Sequence, residues 1–136
     1  ALEVGDGGNR AMMAALDTVG LGRRIATLPD GLDTVLSSSG APLTIAEVMQ
    51  LKLAGALLGK PRVLLLSELF DMMPVHRLQL ALDELRASDT TVLLSTKRPE
   101  AIARDGWLYL GSQHQQRFDS RAELMRFLAE QEHHDA

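Results

Sequence analysis

The 136-residue chain is 46% hydrophobic and 24% charged, which is enough apolar content for one domain with a packed core and is not the composition of a disordered segment. Its formal net charge of -4 argues against a nucleic-acid groove, which calls for a basic stripe, and the absence of cysteine excludes a disulfide framework and fits a cytosolic protein. No apolar run approaches the ~20 residues that span a bilayer, and the start lacks a basic-then-apolar signal sequence. The expectation is a soluble chain, or a soluble piece of something larger.

In chain order, Ala1 to Gly8 read as a lead-in rather than a phosphate-binding loop, because no strand precedes their glycines. Asn9 is placed to cap a helix running to about Val19, with Met12, Ala15, Leu16 and Val19 on one apolar face. Gly20 to Gly22 break it, Arg23 to Thr27 add a further turn, and Leu28-Pro29-Asp30-Gly31 reverses the chain. Ser37-Ser38-Ser39-Gly40 predicts a flexible polar approach to the next helix. Thr44 and Glu47 form a capping box there, Leu43 and Val48 a hydrophobic staple, and Gly59 with Pro61 a stop.

Val63 to Leu66 has no polar alternation, the pattern of a parallel strand covered on both faces. Ser67 and Glu68 stand at its carboxyl end, where open α/β sheets place their chemistry. Pro74 opens a crossover helix through about Arg86, carrying Leu78, Ala81, Leu82 and Leu85, and Thr90 to Ser95 is the next strand. Pro99 to Arg104 reads as a short helix. Trp107 to Leu110 and Gln115 to Phe118 are strands that turn at Gly111-Ser112, and Ser120 with Glu123 caps a terminal helix bearing Leu124, Phe127 and Leu128. His76 and His114 are isolated and His133-His134 lie at a tail, so no histidine metal site is expected.

The stretch from Gly40 to Pro74 resembles the signature-helix-to-Walker-B segment of ATP-binding cassette (ABC) nucleotide-binding domains. Leu43-Thr44-Ile45-Ala46-Glu47 stands where the family has Leu-Ser-Gly-Gly-Gln, and Leu64-Leu65-Leu66-Ser67-Glu68 where it has Leu-Leu-Leu-Asp-Glu. Leu28-Pro29-Asp30-Gly31-Leu32-Asp33-Thr34 is similar to the segment that precedes the signature helix in the exporter branch. The resemblance implies an α/β fold, a partial P-loop NTPase-like domain with parallel strands and crossover helices. Residues 1–59 would form a helical signature subdomain, and 60–136 the C-terminal half of a RecA-like core ending in a hairpin and a helix. It covers only the second half of a complete domain: Gly55 to Lys60 fails the P-loop pattern, and the Gln loop has no counterpart, so the chain reads as an excised or truncated fragment.

In the family the signature helix points free N–H groups at the γ-phosphate of ATP held by a partner subunit. Ile45 and Ala46 replace the glycines that permit that approach, and Glu47 puts a carboxylate towards phosphate. Leu43 and Thr44 keep the frame, so the resemblance implies a helix retained as architecture with a degenerate nucleotide contact. Ser67 occupies the place of the aspartate that helps hold Mg²⁺, and a neutral hydroxyl is a weaker partner for that hard cation. Glu68 matches the carboxylate that polarises attacking water, and Lys97 follows Thr96 at the switch-histidine position. Asp71 falls in the family's subunit-contact loop.

These residues imply a fragment of a degenerate ABC exporter domain that couples nucleotide binding to transport in its parent without hydrolysing ATP alone. The alternative is a catalytically dead ABC-like scaffold that binds a protein partner. ATP and Mg²⁺ are the parent family's cofactors, with neither expected on this fragment. Expected partners are a transmembrane domain and a second nucleotide-binding domain at the cytoplasmic face of a membrane, with self-association of the fragment itself, and no nucleic acid.

Overall fold

The polar ends of the first helix explain how the helices of the N-terminal part are pinned together. The computed structural model describes residues 6–102, 105–110 and 115–134. Leu2, Val4, Arg104, the Gly111-Ser112 turn and His114 lie outside the described residues, as do the side chains of His133 and His134. Helix α1 (Asp6–Val19) starts three residues before Asn9, since Gly7 and Gly8 lower helix propensity without forbidding a helical end. It buries Ala15, Leu16 and Val19. Gly20, at φ 88, ends it: Gly20 N donates to the Asp17 carbonyl at 3.1 Å and Leu21 N to that of Leu16 at 2.8 Å, the paired bonds of a Schellman stop.

Two side-chain donors reach carbonyls of that last turn from a distance. Gln50 Nε2 donates to the Val19 carbonyl at 2.7 Å in a buried bond, and Arg77 Nη1 donates to that of Asp17 at 2.9 Å. Gly20 takes the left-handed backbone of the stop, and a Cβ there would lie 3.0 Å from Arg77 Nε, a tight contact that the arginine would have to shift to relieve. Helix α2 (Gly22–Thr27) follows with Ile25 buried, then a 3₁₀ turn at Gly31–Asp33.

The serine run is not the loose approach expected from its composition. Ser37 and Ala41 bond main chain to main chain at 3.1 Å, Gly40 N donates to the Ser37 carbonyl at 2.9 Å, and Ser37 Oγ accepts from Ala41 N at 3.1 Å. Hydroxyl-to-backbone bonds of this kind convert a polar stretch into a closed turn. Helix α3 (Ile45–Gly59) then begins with the full capping box: Glu47 N donates to Thr44 Oγ1 at 3.1 Å, and Thr44 N to Glu47 Oε1 at 2.9 Å. Met49, Gln50, Leu53, Ala54 and Leu57 are buried along it, whereas Ile45 and Leu58 are exposed. Its left-handed terminal residue is Lys60, at φ 46, rather than Gly59. Pro61 denies the preceding residue the right-handed helical region, so the chain turns out one position late.

Strands β1 (Val63–Leu66) and β2 (Thr91–Leu94) pair in parallel with Leu66 opposite Leu94, joined through helix α4 (Val75–Ala87). Thr90 fixes the start of the pair by donating its hydroxyl to the Pro61 carbonyl at 2.7 Å. Leu78, Ala81 and Leu85 bury the inner face of α4, and Pro74 precedes its first turn. The expectation that β1 is covered on both faces is corrected here. Leu66 is buried, but Val63 is 58% exposed, Leu65 71% and, on β2, Leu93 51%. The pleat turns alternate residues to opposite faces, and among the described residues of the N-terminal part no layer covers the second face.

The chain divides into two compact units, Ala1–Pro99 and Glu100–Ala136. In the second, β3 (Trp107–Leu110) and β4 (Gln115–Phe118) pair antiparallel, with Trp107 opposite Phe118. Helix α5 (Arg121–His134) is capped by Ser120, whose Oγ accepts from Glu123 N at 3.2 Å. Phe118 and Phe127 pack with ring centroids 5.1 Å apart, and Leu124 is buried. The fold is mixed α/β with a small parallel sheet. Leu53, fully buried on α3, should cost about 2–5 kcal/mol when changed to Ala; Leu65→Ala, on the open face, should cost well under half as much. Urea unfolding of the two variants checks the contrast.

Candidate functional site

Because β1 and β2 run in parallel, their carboxyl ends open at one edge, and the loops that follow meet there. Ser95 N donates to the Leu66 carbonyl at 2.9 Å, which sets Ser67 and Ser95 side by side. Ser67 Oγ accepts from Leu69 N at 3.3 Å and so caps a 3₁₀ turn over Glu68–Met72 that periodicity did not foretell. These residues surround an open cleft of about 680 Å³, lined by Ser67, Glu68, Leu69, Asp71, Met72, Ser95 and Lys97. Four residues singled out in the sequence, Ser67, Glu68, Asp71 and Lys97, are thereby brought together.

Glu68 and Lys97 form an ion pair, Oε2 to Nζ 3.8 Å, with side chains 55% and 79% exposed. Water screens such a pair, so it contributes at most about 1 kcal/mol, but it places a cation beside the carboxylate. Asp71 is the better-anchored acid. Its Oδ1 accepts from Thr96 Oγ1 at 2.6 Å and its Oδ2 from Lys97 N at 2.9 Å. Its carbonyl accepts from Arg98 Nη2, and Thr96 Oγ1 accepts from Arg98 N at 3.0 Å. The turn after β1 and the loop after β2 are therefore clasped by one side chain. Position alone singled out Asp71 in the sequence; its bonds to a segment 25 residues away had no local signature.

The signature-position residues do not line this cleft. Leu43 is buried, Ile45 is exposed, and Thr44, Ala46 and Glu47 form the first turn of α3. Glu47 differs from the expectation that its carboxylate faces a phosphate. Oε1 is turned back on Thr44 N, and Oε2 lies 3.1 Å from Arg24 Nε, while Arg24 Nη2 donates to the Pro42 carbonyl at 3.0 Å. Arg24 was not singled out by the sequence, where it reads as one of two ordinary basic residues in a short helical turn.

The cleft's oxygen donors do not match a Mg²⁺ site. That ion favours carboxylate oxygens in octahedral array, whereas here Ser67 offers a hydroxyl engaged in a cap, Glu68 sits by an ammonium group, and both Asp71 oxygens already accept hydrogen bonds. Among the described residues no group of three or more His, Asp or Glu could hold a metal ion, and no helix is long and apolar enough to cross a membrane.

The clasp yields a direct expectation. Asp71→Ala removes the acceptor for Thr96 and Lys97 and should destabilise the N-terminal unit by about 1–3 kcal/mol, with the Lys97 amide losing protection from hydrogen exchange. Glu68→Gln should leave that amide protected and change stability by no more than about 1 kcal/mol.

No protein-family model matches the chain. It is 30% identical over 104 residues, 74% of its length, to the ATP-dependent lipid A-core flippase of Dechloromonas aromatica. It is 27% identical over 120 residues, 81% of its length, to the ABC-type transporter fsqE of Aspergillus fumigatus, and 29% identical over 100 residues, 72% of its length, to the glutathione/L-cysteine transport system ATP-binding/permease protein CydD of Escherichia coli. The chain spans only 18%, 9% and 17% of these relatives respectively. The similarity to several ABC transporters extends over most of the chain and agrees with its capped-helix, strand, crossover-helix, strand order, so the chain is part of an ABC transporter domain.

Proposed function

We propose that the chain is the C-terminal part of a degenerate nucleotide-binding domain of an ABC exporter, with residues 1–59 as the helical signature subdomain and 60–136 as half of the RecA-like core. In its parent it couples nucleotide binding to transport, working with a transmembrane domain and a second nucleotide-binding domain at the cytoplasmic face of a membrane. Alone it does not hydrolyse ATP. The observation that carries this reading is the cleft at the carboxyl ends of β1 and β2, where Glu68 is accompanied by Lys97 and the neighbouring position is Ser67.

The roles follow from the side chains. A carboxylate that polarises water needs a nucleotide and a metal beside it, and Glu68 has an ammonium group 3.8 Å away instead. Lys97 attracts phosphate as a point charge but does not exchange a proton near neutral pH as an imidazole does. At the start of α3 the N–H of Thr44 is taken by Glu47, and Arg24 holds the carboxylate there. A phosphate approaching this helix end therefore meets Glu47, with Ile45 and Ala46 where the family has glycine.

The exposed apolar residues Val63, Leu65 and Leu93 favour a second reading, a catalytically dead scaffold that binds a protein partner through the same fold. Titration calorimetry separates both readings from an active nucleotide site. The chain should show no Mg²⁺-dependent ATP affinity in the micromolar range, and a measurable one would overturn the degenerate assignment. Ser67→Asp combined with Lys97→His should likewise release no phosphate above a protein-free blank. Release that Glu68→Gln abolishes would show that the cleft suffices for hydrolysis.

A further inference from the structure

The loop after β2 is tied to the end of β1 and the turn that follows it at four points. Ser95 N donates to the Leu66 carbonyl at 2.9 Å, Thr96 Oγ1 to Asp71 Oδ1 at 2.6 Å, Lys97 N to Asp71 Oδ2 at 2.9 Å, and Arg98 Nη2 to the Asp71 carbonyl. Three of the four end on one residue. Every donor and acceptor lies in the N-terminal unit between Leu66 and Arg98, so the arrangement draws on no strand besides β1 and β2.

Glu68 and Lys97 stand on the two segments so joined, with Nζ 3.8 Å from Oε2. Their own attraction does not account for the meeting. Ordering two long side chains takes rotamer freedom from each, and a screened pair of this length, 55% and 79% exposed, returns less than that. The bonds to the Asp71 carboxylate are shorter and end on a charged acceptor, which puts them among the stronger hydrogen bonds. Thr96 is β-branched and stiff, so it gives up little freedom in making its bond.

We propose that Asp71 is a positioning residue: it latches the loop after β2 and thereby holds the Lys97 ammonium group beside Glu68. The latch, rather than the ion pair, keeps this carboxylate next to a tethered cation. A displacement of the turn at Glu68–Met72 then carries Lys97 with it, so the charge facing Glu68 is regulated through Asp71. The inference rests on the function proposed above only in treating Glu68 and Lys97 as parts of one cleft. Its test involves no nucleotide, so failure here leaves the degenerate assignment standing, and ATP affinity would overturn that assignment without moving the latch.

Nuclear magnetic resonance on the full chain tests the order of cause. A nuclear Overhauser contact between the side-chain methylenes of Glu68 and Lys97 reports their proximity, and hydrogen exchange of the Lys97 amide reports the latch. Glu68→Gln should remove the ion pair and leave the amide protected. Asp71→Asn keeps the side-chain shape but sets an N–H against the Lys97 amide; it should lose both the protection and the Glu68–Lys97 contact, although both of those charges remain. Thr96→Ser retains the hydroxyl and should preserve both signals, whereas Thr96→Val should lose the contact. The two threonine variants keep the test decisive should Asp71→Asn fail to fold. A Glu68–Lys97 contact that is absent from the unaltered chain, or that persists in Asp71→Asn or Thr96→Val, overturns the proposal. Loss of Lys97 amide protection in Glu68→Gln also overturns it, because the ion pair would then be holding the loop.

Discussion

The buried hydrogen bond from the Gln50 amide to the Val19 carbonyl is the constraint on which the N-terminal unit is built. A helix ends with carbonyls that lack partners, and burying them unsatisfied is costly. At the end of α1 the Schellman stop satisfies two, Arg77 adds a second donor to one of these, and Gln50 satisfies another. Because Gln50 belongs to α3 and Arg77 to α4, these donors fix where two other helices lie against the first. Leu16, Val19, Leu53 and Leu78 then fill the space so defined with almost no exposed surface. Apolar burial supplies the drive, and the polar contacts select one arrangement among those that bury similar area.

The same division of labour holds at the sheet's carboxyl edge. The parallel register brings two loops to one place, and Asp71 decides their conformation by accepting one side-chain and one main-chain hydrogen bond from the loop after β2. With its acceptor oxygens committed, Asp71 acts as a structural anchor, while the exposed Glu68 and Lys97 above it are held only by a long, screened contact. The edge therefore combines a firm base with exposed charged ends. At the start of α3, Arg24 serves a comparable purpose, bridging the Pro42 carbonyl and the Glu47 carboxylate so that α2 and the loop before α3 share one fixed charge.

Similarity to several ABC transporters puts the chain in their lineage, and in the function proposed above the departures fall at positions where chemistry, rather than packing, sets the residue type. Leu64 and Leu66 and the capping box of Thr44 and Glu47 continue to serve the fold. A helix cap is satisfied locally, so it persists whatever happens to a bound phosphate. A phosphate contact needs glycine backbone and a facing partner, and in the function proposed above Ile45 and Ala46 take the place of that glycine backbone.

The amino-acid sequence by itself determined most of the elements and several of their ends. The stop at Gly20, the box at Thr44 and Glu47, Pro74 ahead of α4 and Ser120 ahead of α5 are signals contained within a few residues, and the hydrophobic spacing gave the buried faces of α1 and α4. Only the tertiary structure decided what depends on residues far apart in the chain. Whether the second face of β1 is covered depends on which layers surround it, and an unbroken apolar run reads the same in either case. The tie from Asp71 to Thr96, the turn of Glu47 towards Arg24 and the reach of Gln50 to Val19 join positions 23 to 31 residues apart, and no local pattern encodes them, because a hydrogen bond depends on where folding places its donor and acceptor.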